Sequence, residues 1–174
     1  MQSTGDAHDP ATYSLLPVFQ TNEVNVTGLE DWTSSPCSGA SDCFPHIGIN
    51  ATGSDQVVNG GTIVWPAGAV LEHPSPTNMA VVGWTSPING RVTMSGSFDL
   101  VQQPNCGNGV VATVDSGART LVTLLVTPTQ PTTSFNFRLV VHRQSAYYLT
   151  IGSNQHDDGC DSTVITWTIN RHQY

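Results

Sequence analysis

Lysine is absent from this 174-residue sequence, and charge of either sign is scarce. Charged residues make up 10%, against about a quarter in ordinary soluble domains. The five arginines, Arg91, Arg119, Arg138, Arg143 and Arg171, are scattered, and the net charge is -8. Phosphate binding needs clustered cations, so the sequence argues against nucleic acid as a partner. The same shortage argues against anionic membrane surfaces. No apolar run approaches the roughly 18 residues that cross a bilayer, so no membrane insertion is expected. The opening residues MQSTGDAHDP are polar and hold no secretory leader. Met1 reads as a true start or as the start left after a leader is removed.

Catalytic signatures are missing as well. There is no H-E-x-x-H, C-x-x-C, nucleophile elbow or phosphate-binding loop. Gly107-Asn-Gly109-Val-Val-Ala112 spells a dinucleotide fingerprint, but a β-branched run follows it where a helix N-terminus would be needed. Asp115-Ser-Gly117 matches a serine-protease spelling but lacks oxyanion context and reads as a hairpin turn. Glycoside hydrolysis needs two carboxyl groups across a cleft. Glu72 with Asp99 or Asp115 is the candidate pair; solvated turn carboxylates are the plainer reading.

Cysteine is sparse but even in number: Cys37, Cys43, Cys106 and Cys160. All four lie in polar turn sequence, not in the apolar strands where unpaired thiols hide. That favours disulfides and an extracellular setting over free thiols in a cytosolic protein. Several pairings are open. The favoured one closes a short loop between Cys37 and Cys43 and ties distant turns through Cys106 and Cys160. Asn25-Val-Thr and Asn50-Ala-Thr match the glycosylation pattern, which a Thr-rich chain also meets by chance.

In place of charge stand Thr, Ser, Asn, Gln and Gly, and in place of a helical period stands alternation. Val92, Met94, Phe98 and Leu100 share one face of residues 91–100. Phe135, Phe137, Leu139 and Val141 do the same over 133–142, and Ile165, Trp167 and Ile169 close the series. Further runs lie near 57–65, 68–72, 78–85, 108–114, 119–127 and 145–151. Pro87 to Gly90, Asp115 to Gly117 and Pro128 to Pro131 supply turns between them. About nine strands at such spacing predict an all-β, jelly-roll-like antiparallel sandwich over residues 56–174. Residues 1–55, rich in Gly, Ser and Pro, are expected to be an irregular N-terminal extension packed on it. Tyr13 to Phe19 and Val24 to Val26 could add edge strands.

The runs VVGWTSPINGRVTMSGSFDL (81–100), NGVVATVDSG (108–117) and DSTVITWTI (161–169) resemble a β-sandwich module of secreted bacterial proteins. That module recurs in actinobacterial proteins and in those with PEP-CTERM sorting tails. Leu71 to Pro74 and Pro45 to Gly53 resemble its upstream segments, so the likeness covers residues 45–170. The family commonly has Gly-Asp ahead of its penultimate strand, where this chain has Gln144-Ser145. The resemblance implies an extracellular, jelly-roll-like appendage with a glycan or surface role, without an established activity.

Two places hold the site candidates. Asn154, Asp157, Asp158 and Asp161 put oxygen donors within eight residues, a possible structural calcium site. The competing reading is a polar hairpin with Asx-type caps. His156 and His73 are weaker candidates for a transition metal. Aromatic rings are the usual sugar platform, because pyranose C–H groups pack on a π-face. Trp32, in a polar stretch, and one of the oppositely directed pair Tyr147 and Tyr148 are the exposed candidates. Trp84 and Trp167 sit in strong strand patterns and read as core. The expectation is a non-catalytic module that recognises a glycan or cell-surface polymer. The alternatives are a self-associating assembly module, which would be a homo-oligomer, and, less favoured, a small polysaccharide-active enzyme.

Overall fold

The computed structural model describes residues 1–3, 8–22, 25–36, 43–101 and 106–172. Its strands are β1 (Val18–Gln20), β2 (Leu29–Thr33), β3 (His46–Asn50), β4 (Gln56–Val58), β5 (Ile63–Trp65), β6 (Val70–His73) and β7 (Ala80–Thr85). There follow β8 (Gly90–Leu100), β9 (Val110–Ser116), β10 (Arg119–Val126), β11 (Thr132–Val141), β12 (Ala146–Ser153) and β13 (Thr163–Arg171). A seven-stranded sheet runs β1-β2-β3-β6-β13-β8-β11, and a four-stranded sheet runs β10-β9-β12-β7. β4 and β5 form a separate hairpin, and all pairings are antiparallel. The all-β sandwich is therefore the fold. Its thirteen described strands exceed the nine expected, because β1, β2 and β3 come from the stretch read as irregular and the 57–65 run divides into β4 and β5.

The alternation in β8, β11 and β13 builds the main core. Val92, Met94, Phe98, Phe135 and Ile165 of the large sheet meet Val110, Ala112, Val114, Leu149 and Ile151 of the small one. Facing rows of this kind are how two sheets exclude water between them. Trp84 and Trp167 pack against this cluster from its margin.

The other face of the large sheet has a second core. Leu29, Leu71 and Val164 are covered there by Val58, Ile63 and Trp65 of the β4–β5 hairpin. Gly48 of β3 makes room for the Trp65 ring, and Trp65 Nε1 donates to the Ala69 carbonyl at 3.0 Å. Asn50 is buried beside it, donating to the Trp65 carbonyl at 2.8 Å and to the Ser54 carbonyl at 2.9 Å. The amide of this glycosylation match is thus occupied inside the fold.

The early strands escaped the alternation signal because they bury polar side chains. Asp31, Thr33, His46 and Asn50 are all inside. Cys106 and Cys160 are bonded, one ahead of β9 and the other ahead of β13. Cys43 is also disulfide-bonded; Cys37, its expected partner, lies outside the described residues. Among the described residues no helix is long and apolar enough to cross a membrane.

Candidate functional site

Trp32 of β2 stands opposite Ile47, on the face of the large sheet turned towards the small one, and is 41% exposed there. In the β1–β2 register it stands directly opposite Phe19, itself 50% exposed. Cross-strand neighbours of this kind touch, and the two ring centroids are 4.8 Å apart, tilted by 38°. Trp32 lines a cleft of about 440 Å³, and Phe19 packs on the Trp32 ring beside it. Leu15 and Leu16 from the N-terminal segment, Ile47 from β3, and Val81, Val82 and Gly83 from β7 line it. Its walls are apolar, and Leu15 at the rim is 78% exposed. Alternation puts Glu30 on the same face of β2 as Trp32. Exposed aromatic area next to a concavity, with a polar group at the edge, is how binding clefts are built.

The two tyrosines divide as their alternation requires. Tyr147 is buried between the sheets with its ring 5.8 Å from Trp84. Tyr148 is half-buried on the outer face of the small sheet, edge-on to Tyr13 at 5.1 Å. Neither joins the Trp32 cleft wall.

The acidic turn folds as a hairpin. Asp157 N–H donates to the Asn154 carbonyl at 3.2 Å, and Asp157 Oδ1 accepts from Gly159 N–H at 3.1 Å. Asn154 Nδ2 donates to the Asn108 carbonyl at 3.1 Å, and Asn108 Nδ2 returns a bond to the Asn154 carbonyl at 2.9 Å. Asp161 is fully buried, and neither carboxylate oxygen has a hydrogen-bond partner. Burial, reinforced by Asp157 and Asp158, pushes its carboxyl up to about 8. Among the described residues no three His, Cys, Asp or Glu side chains gather closely enough to hold a metal ion.

The three carboxylates weighed for hydrolysis fall on three different surfaces. Glu72 pairs with Ile47 and Thr163 on the inward face of the large sheet. Asp99 lies on that sheet's outward face, accepting from Ser97 Oγ at 2.7 Å. Asp115 lies on the outer face of the small sheet, beside His8. Glu72 is fully buried, and burial pushes it up to about 8 although the Met1 amino group pulls the other way.

Two further clusters had no local sequence signal. His46 Nδ1 is 3.5 Å from Asp31 Oδ2 on adjacent strands. Phe44 stacks on His73 at 3.9 Å and meets His46 edge-on at 5.1 Å. Burial, then the neighbouring His73, lowers His46 to about 3, so it stays neutral at ordinary pH. On the small sheet, His8 Nδ1 lies 3.0 Å from Asp115 Oδ2, and Thr113 Oγ1 donates to the same oxygen at 2.9 Å. His8 and Asp115 are 107 residues apart, so no spacing rule could have joined them.

Neither a known protein family nor any curated protein matches this sequence.

Proposed function

We propose that this chain is a non-catalytic extracellular binding module that holds a glycan or cell-surface polymer at the Trp32–Phe19 cleft. The observation that carries the reading is the exposed Trp32 ring, packed on Phe19, at the wall of a concavity of about 440 Å³. A tilted aromatic pair offers an apolar face to pyranose C–H groups, and Glu30 offers an acceptor to their hydroxyls. The Cys106–Cys160 bond and the near absence of cations fit an oxidising exterior and a neutral polymer. Likeness of residues 45–170 to a secreted β-sandwich module supports the same reading.

Calcium at Asn154, Asp157, Asp158 and Asp161 belongs to this proposal. Its support is Asp161, whose two buried oxygens lack a partner. A melt that is identical in calcium and in EDTA would remove the ion from the reading.

The test of the binding site is a glycan array and a polymer pull-down with wild type and Trp32→Ala. Loss of one stacking ring should weaken binding by at least about tenfold. Trp32 is only 41% exposed and packs on Phe19, so the melting temperature should fall too, and binding is compared well below both melts. Equal binding by the variant would move the site elsewhere, and no binding by wild type to any polymer would remove the function.

A second reading, self-assembly, is favoured by one feature. β11 is an edge strand of ten residues, Thr132–Val141, and edge strands template further pairing. Light scattering separates the readings: a monomer at tens of micromolar removes assembly.

A further inference from the structure

Asn-Gly occurs three times in the sequence, at Asn59-Gly60, Asn89-Gly90 and Asn108-Gly109. Glycine has no side chain to shield its own nitrogen, so a carboxamide just before it can fold back and react there. The binding reading uses none of the three. We propose that Asn59 is a self-modifying site, whose side chain closes on the Gly60 nitrogen and becomes isoaspartate, while the fold holds Asn89 and Asn108 in the amide form.

Water is the only co-reactant. The Gly60 nitrogen attacks Asn59 Cγ and gives up its proton. The Cγ–Nδ2 bond breaks, ammonia leaves carrying that proton, and a succinimide ring remains. Water opens the ring at the backbone carbonyl to give isoaspartate, or at Cγ to give aspartate. Nothing is oxidised or reduced.

The first support is the freedom of one carboxamide against the restraint of the other two. Ring closure needs the side chain to swing until Cγ meets the next nitrogen. Asn89 is exposed, but its Oδ1 accepts from Arg143 N–H at 2.8 Å. Asn108 Nδ2 donates to the Asn154 carbonyl at 2.9 Å, and the Gly109 that follows is buried. Asn59, Gly60 and Gly61 are all exposed, and among the described residues no group bonds the Asn59 side-chain amide.

The second support is the backbone of the turn that joins β4 to β5. Asn59 has a φ of 52°, followed by Gly60 at 65° and Gly61 at 94°. Two successive glycines let the chain rotate about the reacting atoms with little steric resistance. The Asn59 carbonyl anchors the turn, accepting from Thr62 N–H at 3.3 Å and from Thr62 Oγ1 at 2.8 Å, and the side chain stays outside it. Conversion there has a structural consequence. Isoaspartate routes the chain through the side-chain carbon and adds a backbone atom between Val58 and Ile63, which pair across the hairpin and cover the second core.

The test ages the whole chain, disulfides intact, at mildly alkaline pH, where the glycine nitrogen loses its proton more readily. Peptide mapping by mass spectrometry and chromatography follows the three sites, with urea-unfolded protein as the reference. In native protein Asn59 should convert at least about tenfold faster than Asn89 or Asn108. In the unfolded chain the three should convert at similar rates. Equal rates in native protein, or the same ranking in both states, overturns the assignment to the fold. Asn59→Gly suits the left-handed angle, so it should fold as wild type does and lose the early mass gain. Persistence of that gain in the variant puts the reaction elsewhere. Asn59→Asp carries the new charge without the added backbone atom, so aged wild type should melt below it. Equal melting of the two refutes the effect on the hairpin.

Discussion

A side-chain carbon at position 48 would stand 2.5 Å from Cη2 of Trp65, so the glycine of β3 and the indole of β5 occupy one space between them. β4 and β5 touch the large sheet through this fit and the small core around it. Gly48→Ala should therefore cost about 1–3 kcal/mol, the usual penalty of overpacking, although Ala suits a strand better than Gly. Trp65→Ala should cost about 3–5 kcal/mol. Urea unfolding of both variants checks the pair; a neutral Gly48→Ala would mean the hairpin floats.

Glu72 should make the protein less stable as pH rises. Its carboxyl goes from 4.5 to about 8 on folding, mainly through burial. The native state then binds a proton that the unfolded chain has released, so stability is full below about 4.5 and declines up to about 8. Glu72→Gln should remove that decline and be more stable than wild type at pH 8, with little difference at pH 4. Parallel pH profiles for the two proteins would refute the assignment.

His46 acts with the opposite sign. Its pKa falls from 6.5 to about 3 on burial, with His73 adding to the shift. Below 6.5 the unfolded chain takes a proton that the native ring refuses, so stability is lost as pH falls from 6.5 towards 3. His73, lowered chiefly by burial, adds to the same limb. Calorimetry at pH 5 in buffers of different ionisation enthalpy should find proton uptake on unfolding, reduced by about one proton in His46→Gln. Unchanged uptake would count against it.

Cys106 and Cys160 are 54 residues apart. Closing a loop of that length restricts the unfolded chain by roughly 4 kcal/mol on the chain-entropy account. Cys106→Ala with Cys160→Ala should lower the melting temperature markedly, and mass spectrometry of native protein should find these two thiols blocked. Two titratable sulfhydryls at these positions would contradict the bond.

Where polar and apolar residues alternate, the sequence was legible. β8, β11 and β13 bury the residues their period of two assigns, and the turns at Pro87, Gly117 and Pro128 fall between strands. β2 and β3 were hidden because their buried positions include Asp31, Thr33, His46 and Asn50, which a hydrophobic pattern counts as outside. The exposure of Trp32 was legible in its polar surroundings, but its contact with Phe19 was not, since that depends on the register of β1 against β2. His8 with Asp115, and His46 with Asp31, are contacts made by chain reversal and leave no periodic trace.

The position of the Cys106–Cys160 bond has a mechanical consequence. Cys106 leads into β9 of the small sheet and Cys160 into β13 of the large one. A force drawing the two layers apart is thus resisted at that end by a covalent clasp. At the far end the short bends 86–89 and 142–145 carry the backbone itself between the layers, from β7 to β8 and from β11 to β12. The disulfide thus supplies a clasp where two of the crossings, 101–109 and 154–162, are long, and the chain is its own clasp where they are short.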